Sequence, residues 1–188
     1  MSVNTQKKKL QEAKNYLEQN NLGALKSALA IYKQYGTPDI LVLLFQTLQS
    51  RDRSQQQEIL QFLSDVTDLN TVQVFIDFLQ DQSDAALRKL ILSAIWNSKL
   101  PFDEHLPFFV MLATQGDFLE ALDCLTIIEN MTGPFDESQL LESQLLLKEY
   151  LEERAPQSDQ KAQIMSEIAR FVKEQNEGID ADLLLDNQ

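Results

Sequence analysis

Apolar residues recur at helical spacing along most of the chain, and the pattern is clearest between residues 70 and 97. The first half of this stretch has apolar residues at i, i+3, i+4 and i+7, the stripe of an amphipathic helix. These residues are Val72, Phe75, Ile76 and Leu79, and a second stripe follows at Leu87, Leu90, Ile91, Ala94 and Ile95. The polar residues 81–84 separate the stripes, and Ser83 is the predicted N-cap of the second helix. The stretch therefore predicts two antiparallel helices joined by a short turn.

Similar stripes, separated by polar segments or by proline and glycine, predict about ten helices and no sheet. The predicted ranges are 5–20, 22–35, 37–50, 55–65, two helices in 70–97, then 102–114, 118–131, 136–153 and 158–176. At the breaks, Gly36 is predicted to adopt a left-handed conformation, Thr37 to cap a helix, and Gly178 to end the last one. In the helix 136–153, the residues predicted to face inward are Leu141, Leu145, Tyr150 and Leu151.

A lone helix pair cannot bury two apolar stripes, so neighbouring pairs are expected to stack on it. The stripes of 40–65 and 104–131 align with those of 70–97 at a period of about 32 residues. We therefore predict an all-α fold, a short α-solenoid of stacked antiparallel helix pairs. In this prediction, residues 1–178 form a single repeat domain and residues 179–188 form an acidic, apolar C-terminal tail.

Two stretches resemble known repeat families. The pair 72–95 resembles a HEAT repeat, because its first helix closes on Asp81 in the turn and its second presents Leu87 followed by Arg88. The resemblance implies that this aspartate and this arginine help to tie neighbouring turns together. Residues 112–128 resemble instead the middle of a tetratricopeptide repeat, with Gly116-Asp117-Phe118 at the turn and Ala121 at the helix crossing. Both families stack helix pairs that mostly bind other proteins, so either resemblance implies protein binding.

Charge is distributed unevenly along the 188 residues, whose net charge is −13. Residues 1–100 carry 11 Lys/Arg against 10 Asp/Glu, a balance of +1, whereas residues 101–188 carry 5 against 19, a balance of −14. An acidic half of this strength should repel nucleic acid and anionic membranes, so neither is an expected partner. It either keeps the protein in solution or attracts a basic protein partner.

The sequence predicts a cytoplasmic protein. The longest apolar runs, 40–45 and 106–113, are far shorter than the ~18 residues that suggest a membrane span. No apolar segment follows the basic residues near the N-terminus, so neither a signal peptide nor an anchor is expected. The chain has one cysteine, Cys124, which cannot form an internal disulfide and fits a reducing compartment best.

Catalytic chemistry has little support in the sequence, which contains no motif for phosphate, dinucleotide or zinc binding. His105 and Cys124 are predicted at a similar level of neighbouring helices, but the apolar neighbours of Cys124 favour an inert, buried thiol. Nearby carboxylates are better explained as helix caps and solvated surface than as acid–base or metal groups. These carboxylates belong to Asp103, Glu104, Asp117, Glu120 and Asp123. No catalytic residue, metal site or cofactor is predicted.

The predicted function is a non-enzymatic adaptor or scaffold that binds a protein or peptide, with a basic partner favoured. An inhibitor or immunity-type acidic protein is one alternative, and an enzyme that uses residues 103–124 is another. The residues predicted to contact the partner are Trp96, Glu120, Asp123 and Glu129.

Overall fold

The computed structural model describes residues 3–153 and 159–185, in which ten α-helices and one short 3₁₀-helix occur. The α-helices are α1 (Val3–Glu18), α2 (Leu22–Tyr35), α3 (Asp39–Leu48), α4 (Arg53–Ser64), α5 (Thr71–Asp81), α6 (Ala85–Trp96), α7 (Leu106–Gln115), α8 (Phe118–Glu129), α9 (Glu137–Glu153) and α10 (Asp159–Leu185). The 3₁₀-helix, Asp103–His105, precedes α7. No β-strand is found in these two ranges, so the all-α prediction is confirmed.

The chain divides into two compact units, residues 1–100 and 101–188. In the first unit, α1 packs on α2, α3 on α4, and α5 on α6. Successive pairs are also in contact, because α2 touches α4, α4 touches α6, and α3 touches α5. An ion pair of 2.9 Å joins Lys26 Nζ in α2 to Glu58 Oε1 in α4, and Ser64 Oγ in α4 donates to Ala94 O in α6. The unit is therefore a stack of three helix pairs.

The second unit contains two further pairs, α7 with α8 and α9 with α10. Asp103 Oδ1 accepts the N–H groups of Thr132 and Gly133 at 2.7 and 2.8 Å, so the end of α8 lies beside the start of α7. Gln139 Nε2 donates to Asp103 O at 3.0 Å, which places the start of α9 there too. Stacked antiparallel pairs are thus present within each unit, as predicted. The single-domain boundary at residue 178 stays a prediction.

The predicted stripe of α5 is confirmed, since Val72, Phe75, Ile76 and Leu79 are all buried. The stripe of α6 is confirmed except at one position. Leu90 is half-buried, whereas Leu92, which was not predicted, is almost fully buried. Because α6 contacts both helices of the preceding pair, α3 and α4, as well as α5, its buried surface is wider than a single stripe.

Gly36 follows α2 with a φ of −65°, so the predicted left-handed conformation is wrong. Its N–H donates to Tyr32 O, and a Cβ at this position would lie 2.4 Å from that same oxygen. A glycine fits here because the backbone passes too close to the preceding turn for any side chain. The predicted Thr37 cap is also wrong: Pro38 is the N-cap residue of α3 and supplies no side-chain hydrogen bond.

The last helix does not end at Gly178, because the backbone of α10 continues to Leu185. A glycine inside a helix costs only about 1 kcal/mol, and the leucines and alanine that follow favour continuation. Residues 179–185 of the predicted tail are therefore helical, and residues 186–188 lie outside the described residues. The predicted break and cap at 155–158 also fall outside them.

The inward face of α9 differs from the predicted one. Leu141, Leu145 and Leu151 are 55%, 51% and 73% exposed, and only Tyr150 of the predicted set is buried. The residues that α9 buries are Leu140, Ser143, Leu147 and Tyr150. Leucine occupies six of the twelve positions from 140 to 151, so the sequence supports more than one apolar face. Packing against α7 and α10 selects the face that contains Leu140 and Leu147.

The N-cap of α6 is Asp84, not the predicted Ser83. Asp84 Oδ1 accepts the N–H of Leu87 at 2.9 Å, and Oδ2 accepts a hydrogen bond from Gln49 Nε2 at 2.7 Å. Replacing Asp84 by alanine is expected to lower the free energy of unfolding by about 1 kcal/mol, because a helix N–H loses its acceptor. Urea unfolding followed by circular dichroism would measure the change. Ser83→Ala is the matched control, with an expected change within about 0.5 kcal/mol; equal losses would contradict the assignment of the cap.

Candidate functional site

The residues predicted to contact a partner are found in different environments. Trp96 ends α6 and is 38% exposed, Asp123 is half-buried on α8, and Glu129 is exposed at the end of α8. Glu120 is only 4% exposed and accepts the N–H of Asp117 at 3.1 Å, while Asp117 Oδ1 accepts the N–H of Glu120 at 3.0 Å. This reciprocal capping box makes Glu120 a structural residue at the start of α8. Partner binding by the four residues stays a prediction.

The residues of the region 103–124 that could carry chemistry lie in different environments. Cys124 is fully buried in α8, as predicted, and His105 is half-buried before α7. Asp103 accepts hydrogen bonds from backbone N–H groups, and Asp117 caps α8. Nowhere in 3–153 and 159–185 do three or more His, Cys, Asp or Glu side chains form a group that could hold a metal ion. In the same ranges, none of the helices combines the length and apolarity that crossing a membrane requires.

The exposed side of α9 presents leucines within the acidic unit. Leu141 and Leu145 are one turn apart and therefore adjacent on the helix surface, and Leu151 is exposed about 15 Å further along the axis than Leu141. The exposed carboxylates of Glu142 and Glu149 lie beside Leu145, on the same side of it. We call these five residues the α9 surface.

The α9 surface combines apolar area with negative charge. Lys148 and Glu152, on the same side, form an exposed ion pair of 3.8 Å, so they add no net charge. Isolated exposed leucines are normal on protein surfaces, but neighbouring leucines beside carboxylates offer both apolar contact and attraction for a cation. This chemistry matches a partner that has an apolar stripe bordered by lysine or arginine.

A second candidate site is a cavity of about 620 Å³ in the first unit, between α1 and α3. Its aliphatic wall consists of Leu10, Leu17, Ile40 and Leu43. Tyr32 and Arg51 also line it, and we call this cavity the α1–α3 groove.

Two residues that line the α1–α3 groove each have one buried side-chain atom with no hydrogen-bond partner among the described residues, the hydroxyl of Tyr32 and Nε of Arg51. Tyr32 is 3% exposed, and its burial raises the pKa of the phenol. In the sequence, Tyr32 lies within the predicted helix 22–35 and Arg51 between the predicted helices 37–50 and 55–65, and the spacing of the two residues does not indicate that they line one cavity.

Comparison with known proteins finds no matching family model, no matching curated protein and no matching solved structure. The resemblances to HEAT and tetratricopeptide repeats therefore stay hypotheses. Arg88, which the HEAT resemblance assigns to the turns, donates from Nη1 to the carbonyls of Gln82 and Ser83 in the turn of its own helix pair.

Proposed function

We propose that this chain is a non-enzymatic protein-interaction module of the HEAT or tetratricopeptide kind, and that its second unit binds a basic, amphipathic helix. The observation that carries the proposal is the α9 surface, with three leucines more than half exposed in the acidic part of the chain. A cytoplasmic location belongs to the same proposal and is supported by the single cysteine, whose side chain is buried.

At the α9 surface, apolar contact would supply most of the affinity, and the negative charge would raise the association rate and favour basic partners. Fully burying an exposed leucine is worth about 1.5–3 kcal/mol, and the three leucines here start half or more exposed, so each retains a large part of that value. Residues 101–188 carry a net charge of −14, which attracts a cationic partner over several ångströms and raises the association rate.

A charge-reversal experiment tests the electrostatic part of the proposal. The probe is a leucine–lysine peptide with leucines at i, i+3, i+4 and i+7, and the competitor is a scrambled peptide of the same composition. Glu142→Lys with Glu149→Lys is expected to weaken binding of the probe about tenfold at low ionic strength, and less in high salt. The matched control is Asp77→Lys with Asp81→Lys, two exposed carboxylates of α5 that give the same change in net charge.

The leucines are tested separately. Leu141→Ser with Leu145→Ser should weaken binding at all salt concentrations, whereas Leu69→Ser, at a 64% exposed position in the first unit, should not. Both changes leave the core intact, so circular dichroism should remain unchanged. The proposal fails if the control variants bind as weakly as the α9 variants, or if the scrambled peptide binds as well as the amphipathic one.

A further inference from the structure

A further cavity of the first unit, about 420 Å³ in volume, lies between α4 and α6 and shares no lining residue with the α1–α3 groove. Its walls come from the later part of α4 and the end of α6. A hydrogen bond of 3.3 Å from Ser64 Oγ to Ala94 O joins the two helices there. The residues that line the cavity are Gln57, Leu60, Gln61, Ser64, Asp65, Ser93 and Asn97. We call it the α4–α6 groove.

Three exposed residues of the α4–α6 groove carry side-chain amides, Gln57, Gln61 and Asn97. Gln61 Nε2 donates to Asp65 Oδ1 at 3.0 Å, and Asn97 Nδ2 donates to Ser93 O at 2.8 Å. Because an ionised carboxylate and a carbonyl only accept hydrogen bonds, these contacts fix which end of each amide is the nitrogen. The amide oxygens of all three residues accept no hydrogen bond within the described residues, so they remain available to a ligand.

The polar groups of the α4–α6 groove are mainly acceptors. Among the described residues that line it, only Asp65 is charged, and this residue is exposed. The hydroxyls of Ser64 and Ser93 donate to Leu60 O and Leu90 O in their own helices, so neither brings an unused proton to the groove. The groove therefore presents one negative charge and a surplus of oxygen acceptors.

This lining suits a cation that carries many hydrogen-bond donors. An anion would be repelled by Asp65 and would meet no basic side chain among the described lining residues. A guanidinium has five N–H donors and no acceptor, and its planar fork can bind a carboxylate through two parallel hydrogen bonds. An ammonium carries the same charge but has no such fork. Arginine is therefore the side chain that best fits the Asp65 end of the groove.

The α4–α6 groove is long enough for a short stretch of peptide. Gln57 lies on α4 and Asp65 directly follows it, eight residues later, which corresponds to about 12 Å along the helix axis. An extended chain rises about 3.3 Å per residue, so about three or four residues match this length. The amides of Gln57, Gln61 and Asn97 each retain an N–H and an oxygen, the groups that pair with the C=O and N–H of a peptide backbone.

We propose that the α4–α6 groove binds an extended peptide segment of about three or four residues that contains an arginine. The guanidinium donates to the carboxylate of Asp65, and the neighbouring peptide groups bond to the amides of Gln57, Gln61 and Asn97. The α9 surface takes no part, because it belongs to the second unit. This proposal and the proposed function therefore rest on different residues and can fail separately.

NMR titration with three peptides, in 0.15 M salt where charges more than roughly 8 Å away are screened, tests the charge and the backbone separately. The first probe is acetyl-Gly-Gly-Arg-Gly-Gly-amide, the second has citrulline in place of arginine, and the third has N-methylglycine in place of each glycine. The citrulline peptide is expected to bind about tenfold more weakly, because citrulline resembles arginine in shape but has no charge. The N-methylated peptide is expected to bind about fivefold more weakly, because it lacks most of the N–H groups that the amide oxygens would accept.

The charged end of the groove is tested with Asp65→Asn, which keeps an acceptor for Gln61. It should weaken binding of the arginine peptide about tenfold and remove the advantage of that peptide over the citrulline peptide. Asp77→Asn is the matched control, because Gln73 Nε2 donates to Asp77 Oδ1 at 2.7 Å on α5 in the same way, and neither residue lines the groove.

The amide end is tested with Gln57→Ala, which should weaken binding of the arginine and citrulline peptides equally, by about fivefold. Gln80→Ala is its control, since Gln80 is exposed on α5 and lies outside the groove. All these substitutions are at exposed positions, so circular dichroism should remain unchanged. Glu142→Lys with Glu149→Lys should bind the arginine peptide as tightly as the natural chain, which separates this site from the α9 surface.

The proposal is overturned if none of the peptides binds the natural chain, or if the citrulline peptide binds as tightly as the arginine peptide. It is also overturned if Asp77→Asn weakens binding as much as Asp65→Asn, because general charge and not the groove would then attract the peptide. Equal binding of the N-methylated peptide would limit recognition to the arginine side chain and would contradict the backbone contacts.

Discussion

Alanine in place of Phe45 is expected to lower the free energy of unfolding of the first unit by about 3–5 kcal/mol. Phe45 is fully buried in α3, and its ring centroid lies 5.0 Å from that of Phe75 and 4.7 Å from that of Phe78. Both partners belong to α5, so the side chain fills the contact between two successive helix pairs. Its removal leaves a cavity that neither neighbour can close without moving a helix.

Urea unfolding followed by circular dichroism would measure this loss, and Leu69→Ala provides a control at a 64% exposed position of the same unit. The control should change the free energy of unfolding by no more than about 0.5 kcal/mol. A loss below about 1.5 kcal/mol for Phe45→Ala would mean that α3 and α5 repack freely. The contact between the pairs would then be looser than the burial of these rings implies.

Helix α5 was predictable because its sequence allows a single interpretation. Val72, Phe75, Ile76 and Leu79 recur at i, i+3, i+4 and i+7, and the polar residues Gln73, Asp77 and Asp81 lie away from this stripe. A regular apolar stripe likewise made nearly every helix predictable, and most predicted helix ends lie within a few residues of those in the structure. Local pattern and packing agree at these positions, and periodicity alone is then sufficient.

Helix α9 was not predictable in the same way, and the reason bears on function. Leu140 and Leu147 compete with Leu141 and Leu145 for the inward face, and only contact with α7 and α10 decides between them. Leu141 and Leu145 therefore remain exposed and form part of the α9 surface. The sequence pattern shows how many apolar residues a helix has, but it does not show which of them remain exposed after the helix has packed.

The α1–α3 groove lies beyond sequence reasoning for another reason. Tyr32 and Arg51 are 19 positions apart and sit in segments whose patterns are ordinary, a buried stripe and a polar turn. Their relation depends on how α1 stacks beside α3, which is a property of the tertiary structure. The unpaired atoms become visible only when every buried donor is matched with an acceptor.

Methionine in place of Lys161 is expected to lower the free energy of unfolding of the second unit by about 2–4 kcal/mol. Lys161 is 5% exposed, and its Nζ donates to Thr114 O at 2.9 Å and to Gly116 O at 2.5 Å. These carbonyls end α7, where no further helix N–H is available, and a cation is favoured there by the helix dipole. The ammonium also lies 5.3 Å from the centre of the Tyr150 ring, so it connects α10 to both α7 and α9.

Methionine keeps the length and apolar stem of the side chain, so the measured loss reports the ammonium group and not the packing. Lys173→Met is the matched control, because Lys173 is on the same helix, 75% exposed, and paired only with Glu177 in the described residues. An exposed ion pair of this kind is worth at most about 1 kcal/mol. Hydrogen exchange should separate the two changes further, since Lys161→Met should accelerate exchange at the end of α7 and Lys173→Met should not. Equal stability of the two variants would mean that the free-energy cost of burying the ammonium equals the stabilisation from its hydrogen bonds to the carbonyls.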